Sequence, residues 1–128
     1  MGDRPTKLEL LEAVRRFLDE ELSPELEGVH RFHARVASNA LAIVSREIEL
    51  ERPHLRSQFE RLLTLVGRAG EPPDDLAALD AAVDAMEGEL CRQIREGIAD
   101  DPAFRERVLE HVRATTTERL AVANPRYR

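Results

Sequence analysis

The segment VHRFHARVASNALAIVSREIEL, residues 29–50, decides the fold class. Stepped at about 100° per residue, it gathers Val29, Phe32, Val36, Ala37, Ala40, Leu41, Ile43, Val44 and Ile48 on nearly half of one helical circumference. No alternation of the strand type runs through it. So wide an apolar arc predicts a helix touched from several sides, with Ala34, Ala37, Ala40 and Ala42 letting neighbours approach closely.

Four further helical segments flank it. Towards the N-terminus, Thr6-Lys7-Leu8-Glu9 reads as a capping box, in which the Thr6 hydroxyl and the Glu9 carboxylate each satisfy an orphan amide. Leu10, Leu11, Val14, Phe17, Leu18 and Leu22 follow as a stripe that Ser23-Pro24 closes. Towards the C-terminus, Pro53 suits the first turn of a third helix carrying Leu55, Phe59, Leu62, Leu63 and Val66, which Gly67 and Gly70 end. After the one loop of any length, Glu71 to Asp75, a fourth helix carries a narrow stripe of Leu76, Leu79, Val83, Met86, Leu90, Ile94 and Ile98. Such a stripe serves equally as a bundle seam or a dimer seam. Asp101-Pro102 caps and opens a fifth helix with Phe104, Val108, Leu109, Val112 and Leu120 inward, until Asn124-Pro125 stops it. The expectation is an all-α protein, a single bundle of four to five antiparallel helices forming one domain over 1–128.

Composition narrows the function classes. With 42% hydrophobic residues, no tryptophan, one tyrosine and four phenylalanines, the core must be built from aliphatic side chains. The lone cysteine, Cys91, excludes an intrachain disulfide and fits a reducing, cytoplasmic compartment. No apolar run is long enough to span a membrane, and the N-terminus lacks a signal-peptide core. Asp and Glu outnumber Lys and Arg by 25 to 19, with the arginines interleaved among acids, which argues against nucleic acid.

Polar side chains inside apolar arcs are the candidates for chemistry. His33 lies near the middle of the second helix's arc, Asn39 borders it, and Glu47 shares it about 20 Å further along. Glu87 projects from the fourth helix's stripe and Arg119 from the fifth helix's arc. One reading closes them into internal ion pairs, Arg119 with Glu47 or Glu87 and His33 on a carboxylate or carbonyl. The other gathers them into a small polar pocket in which Arg119 binds an anion and His33 acts as acid or base.

Other motifs carry less. Glu27 and His30, like Glu51 and His54, have the Glu-x-x-His spacing of di-metal bundles, but a glycine interrupts the first and a proline the second. His30 and His33 could clip an ion, yet two ligands make no site, and no metal or cofactor is expected. His111 reads as a partly exposed surface group and Cys91 as a small buried hydrophobe. Arg92, Arg95, Arg105, Arg107 and Arg113 form a basic cluster whose interleaved glutamates mark a solvated face. No phosphate-cradling glycine loop or nucleophile elbow is present, so the sequence favours a protein that is not an enzyme.

Three stretches carry a resemblance: Phe32 to Val44 (FHARVASNALAIV), Glu89 to Arg95 (ELCRQIR) and Leu120 to Tyr127 (LAVANPRY). Together they resemble an uncharacterised bacterial family, a domain of unknown function, and the opening Arg4-Pro5-Thr6 with its Leu-Glu-Ala-Val helix fits as well. Members are often encoded beside, or fused to, aminoglycoside-phosphotransferase-like kinases, with acyl-CoA dehydrogenases nearby. The resemblance implies an accessory role in acyl-CoA or hydroxy-acid catabolism, with such a kinase or dehydrogenase as partner, and it supplies no catalytic residue.

Two functional readings follow. In the first, the chain is a non-catalytic interaction domain that docks on a kinase-like partner, with Asn124, Pro125, Arg126 and Tyr127 as docking element because Tyr and Arg are enriched at interface cores. In the second, it is a small ligand-binding or catalytic domain built on His33, Asn39, Glu47, Glu87 and Arg119. A symmetric homodimer is compatible with either.

Overall fold

The computed structural model describes residues 3–126. It is all-α: α1 (Lys7–Arg16), α2 (Gly28–Val66), α3 (Leu76–Arg95) and α4 (Pro102–Ala123), with no strand among the described residues. A π-helical stretch, Phe17–Leu22, and a 3-10 turn, Ser23–Glu25, extend α1, and a second 3-10 turn, Ile98–Asp100, precedes α4. The residues group into two compact units, one of 1–50 with 121–128 and the other of 51–120.

The second and third expected helices are one continuous helix, α2, with Pro53 inside it. A proline in a helix interior removes a hydrogen bond and crowds the carbonyl four residues back, at a cost of about 3 kcal/mol. Pro53 nonetheless opens no new helix, because Arg52 before it cannot cap one and the run Ser45 to Arg52 is rich in helix formers. The division between the units falls just ahead of this proline.

The other helix ends follow local chemistry. Thr6 Oγ1 accepts from the Glu9 amide at 3.1 Å and Glu9 Oε1 accepts from the Thr6 amide at 3.0 Å, completing the capping box. The Glu9 carboxyl is held down at about 2, first by its hydrogen bond from Arg4 and then by the Thr6 amide. Asp75 caps α3 through the Ala78 amide at 3.0 Å, and Asp101 caps α4 through the Phe104 amide at 3.1 Å. Gly97 ends α3 with φ +99, the left-handed conformation that favours glycine, and a Cβ there would meet the Asp100 carboxylate at 3.2 Å.

The 51–120 unit holds the apolar core. Phe59, Leu62 and Leu65 of α2 meet Leu79, Val83, Met86 and Leu90 of α3 and Phe104 of α4, with Leu55, Val66, Ala82 and Val108 packed around them. Leu62 and Leu79 are fully buried. The narrow stripe expected for the fourth helix is this core face up to Leu90; Ile94 and Ile98 lie exposed beyond it.

The other unit is built the opposite way. Its buried side chains are small or polar, Ser23, Ala34, Ser38 and Ala42, and α1 has no buried residue. On α1 and its extension the half-buried stripe is Leu8, Leu11, Arg15, Leu18 and Leu22, so the expected inward residues Leu10, Val14 and Phe17 face out. On α2 the spacing Ala34, Ser38, Ala42 makes a small-residue ridge, while Val29, Phe32, Val36, Val44 and Ile48 are exposed, Phe32 at 62%. This half of α2 is therefore not the helix touched from every side that its arc predicted. Two carbonyls of the turn before α2, Ser23 and Pro24, accept from the Arg31 guanidinium at 3.1 and 3.3 Å, which satisfies acceptors that the end of a helix leaves free.

Candidate functional site

In the 51–120 unit the polar groups condense into one ladder between α2 and α4. Gln58 and Arg61 lie one turn apart on α2, and His111, Thr115 and Glu118 occupy successive turns of α4. Arg61 donates from Nε to His111 Nδ1 at 3.0 Å, from one Nη to Glu118 Oε2 at 3.1 Å, and from the other to Glu118 Oε1 at 2.9 Å and Thr115 Oγ1 at 3.1 Å. Gln58 donates to the same Glu118 at 3.2 Å. Rising numbers on α2 meet falling numbers on α4, so the two segments run antiparallel.

The ladder fixes the state of its histidine. His111, 4% exposed, accepts at Nδ1 from an arginine that can only donate, so its proton sits on Nε2 and is directed at Glu87 Oε1, 3.0 Å away. A second proton on Nδ1 would face the Arg61 N–H. Burial pushes the Glu118 carboxyl up, but the hydrogen bonds from Arg61 and Gln58 and the charges of Arg61 and His54 outweigh it and hold the group below its ordinary value. Each side chain of this set is hydrogen-bonded to another of it. The set ties α2, α3 and α4 together.

The sequence placed this chemistry differently. His111, expected at the surface, is buried, and Arg61, Thr115 and Glu118 were not singled out. The inward face of α4 is Phe104, Val108, His111, Thr115, Glu118 and Val122, a 4-3-4-3-4 spacing half of whose members are polar. Leu109 and Val112, expected inward, are exposed, Val112 at 51%. A periodicity of apolarity cannot see a stripe whose polar members are satisfied from the neighbouring helix. Spacing alone could have found it.

Of the five residues proposed as a polar pocket, Glu87 is engaged by His111, and Arg119 is exposed and makes no ion pair among the described residues. In the other unit His33, Asn39 and Glu47 are all exposed, because the arc that carries His33 is itself uncovered. The His33 ring tilts against Phe32 with centroids 5.9 Å apart. Asn39 lines a groove of about 520 Å³ together with Asn124, Pro125 and Arg126 of the expected docking element. Tyr127 lies outside the described residues.

The remaining candidates resolve quickly. Cys91 is exposed, not buried, because it lies beside the core stripe on the outer side. Arg92 bridges Glu89 and Glu96 at 3.0 and 2.6 Å, Arg113 reaches Glu106 at 3.3 Å, Arg105 donates to Ala99 and Asp100 carbonyls, and Arg107 covers the Phe104 ring at 5.2 Å. Among the described residues no group of three or more His, Cys, Asp or Glu side chains is arranged to hold a metal ion, and no helix is long and apolar enough to cross a membrane. Glu51 and His54 share the continuous helix α2, with no third ligand to complete a site.

Fold and site together define an all-α protein with an apolar core and a hydrogen-bonded polar ladder in one unit and many exposed large apolar side chains in the other. Residues 24–127 match the family model described as a domain of unknown function, DUF6285, and the chain belongs to that family. α1 lies ahead of the matched span. Neither the curated proteins nor the solved structures give a match to the chain.

Proposed function

We propose that this chain is a non-catalytic, cytoplasmic accessory protein that works by docking on a partner. The observation behind the reading is the inverted burial of the 1–50 segment, where Val29, Phe32 and Val36 are exposed above a ridge of buried Ala34, Ser38 and Ala42. Eight large apolar side chains there are exposed, Val29, Phe32 and Val36 together on one face of α2, and apolar side chains left open side by side mark an interaction site.

Residues 28–46 contain no Asp or Glu, and Arg35 is exposed on the same stretch of α2. The occupant that fits is an apolar surface rimmed by carboxylates. The resemblance of the chain supplies its class: a kinase-like phosphotransferase of acyl-CoA or hydroxy-acid catabolism, assisted by this domain.

The test is affinity capture of the tagged chain from its native host grown on a fatty or hydroxy acid, beside the Phe32→Asp variant, with the mass of each purified protein measured in solution. Near-stoichiometric recovery of the phosphotransferase by the wild type, lost in the variant, supports the reading. Equal recovery by both, or none by either, overturns it. A purified wild-type dimer that Phe32→Asp dissolves makes a second copy the occupant and displaces the kinase.

A further inference from the structure

The groove that Asn39 lines belongs entirely to the 1–50 and 121–128 unit, and its chemistry is one-sided. Arg15, Arg46 and Arg126 line it together with Asn39 and Asn124, and among the described residues no Asp or Glu does. Its volume of about 520 Å³ falls in the range of small-molecule sites.

Two of the arginines are set there by their surroundings. Arg15 interrupts the half-buried leucine stripe of α1 between Leu11 and Leu18, where an aliphatic residue would continue the seam. Its Nε is buried and has no hydrogen-bond partner among the described residues, an unfavourable state for a polar group and more so for a charged one. Only one of its terminal nitrogens is engaged, at 3.3 Å from the exposed Glu12 carboxylate. Arg46 is half-buried and anchored through Nε to the Val122 carbonyl at 2.7 Å, which holds its guanidinium plane in place. Its two Nη groups make no hydrogen bond among the described residues. Asn39 and Arg46 lie seven residues apart on one face of α2, and Asn124 and Arg126 come from the segment after α4.

Fixed guanidinium forks with free N–H groups, flanked by amides and unopposed by acid in the lining, recognise an oxyanion by paired hydrogen bonds. Three cations exceed what one carboxylate neutralises and suit a dianion. We infer that this groove binds the phosphate group of a phosphorylated small molecule, with Arg15 and Arg46 as its principal ligands and Asn39 at its edge. The binding rests on charge and donor geometry, independently of the apolar face.

The test is calorimetric titration of the full chain with inorganic phosphate, with glycerol phosphate as a simple monoester, and with acetate, at constant ionic strength. Saturable binding of phosphate and glycerol phosphate, at least tenfold tighter than acetate, is expected. Arg46→Gln should weaken it at least tenfold. Because Arg46 also anchors Val122, Asn39→Asp serves as the second variant: the site is exposed, the helix should melt as in the wild type, and the added carboxylate should abolish phosphate binding. The absence of saturable binding by the wild type, acetate binding as tightly as phosphate, or unchanged affinity in a folded Asn39→Asp protein would each overturn the inference.

Discussion

The two units of this chain bury opposite things. Between residues 51 and 120 a cluster of large side chains is inside, Leu62 and Leu79 completely, although Ile94, Ile98, Leu109 and Val112 stay exposed, and Arg61 and Glu118 are tied to one another across α2 and α4. In the unit that holds residues 1–50 the small side chains are inside and the large ones outside. The first arrangement is what a self-sufficient core requires. The second leaves large apolar side chains open to solvent, as the proposed docking surface would need.

The contrast breaks most visibly under core truncation. Leu62→Ala should cost about 3 kcal/mol, since it removes fully buried methyl groups from a site walled by Leu79, Val83 and Phe104 that cannot collapse freely. Urea denaturation followed by far-ultraviolet circular dichroism measures it. Arg61→Leu comes next, at about 2 kcal/mol, because it leaves His111 Nδ1 without its donor and Glu118 with Gln58 alone; the side chains of Arg61 and Glu118 are 25% and 14% exposed, and water there tempers the loss. A cost under about 0.5 kcal/mol would show the ladder to be ornamental, and the 51–120 unit would then rest on its leucines alone.

The sequence showed much of this fold and little of this site, for reasons that can be located. Caps at Thr6 and Asp101 use short-range chemistry written in a few adjacent residues, and both are found. The stripe from Leu76 to Leu90 is apolar without interruption, so its period is unambiguous. α1 offers two apolar stripes about 100° apart, and the expected face merges Leu11, Leu18 and Leu22 of the one with Leu10, Val14 and Phe17 of the other, whereas burial takes only the first, with Arg15 in it. On α4 the polar stripe lost to Leu109 and Val112 for the same reason. In both helices the decision lies with a partner across the interface, Arg61 for α4, that no local window contains. Pro53 misled in the other direction: it looks like a helix start, and only the missing cap at Arg52 says otherwise.

Acid should act on the ladder before it acts on the core. The Glu118 carboxyl is held below its ordinary 4.5, so the folded state binds its proton less readily than the unfolded state does. Its contribution is therefore complete above about pH 4.5 and is lost as pH falls through the lowered folded value. Glu118→Gln should lower stability at about pH 7 and converge on the wild type at about pH 3, in urea melts at each pH. A constant difference between the two proteins across that range would mean that Glu118 acts by packing, not by charge.

The smallest effect expected on folding is the one that most sharpens the comparison. Phe32 is among the most exposed large side chains of the chain, so Phe32→Asp removes almost no native packing and should move the unfolding free energy of the chain alone by no more than about 0.5 kcal/mol. Amide exchange should report the same division without any substitution: the α1 amides, on a helix with no buried residue, exchange close to freely, whereas those around Leu62 and Leu79 exchange only through global opening. If Phe32→Asp instead unfolds the protein, or if α1 is protected as strongly as α3 in the isolated chain, then the apolar side chains of residues 10–48 contribute to a core of their own. A face that supports its own fold has no apolar surface left to offer a partner, so the stability of one variant bears directly on whether this unit is made for docking.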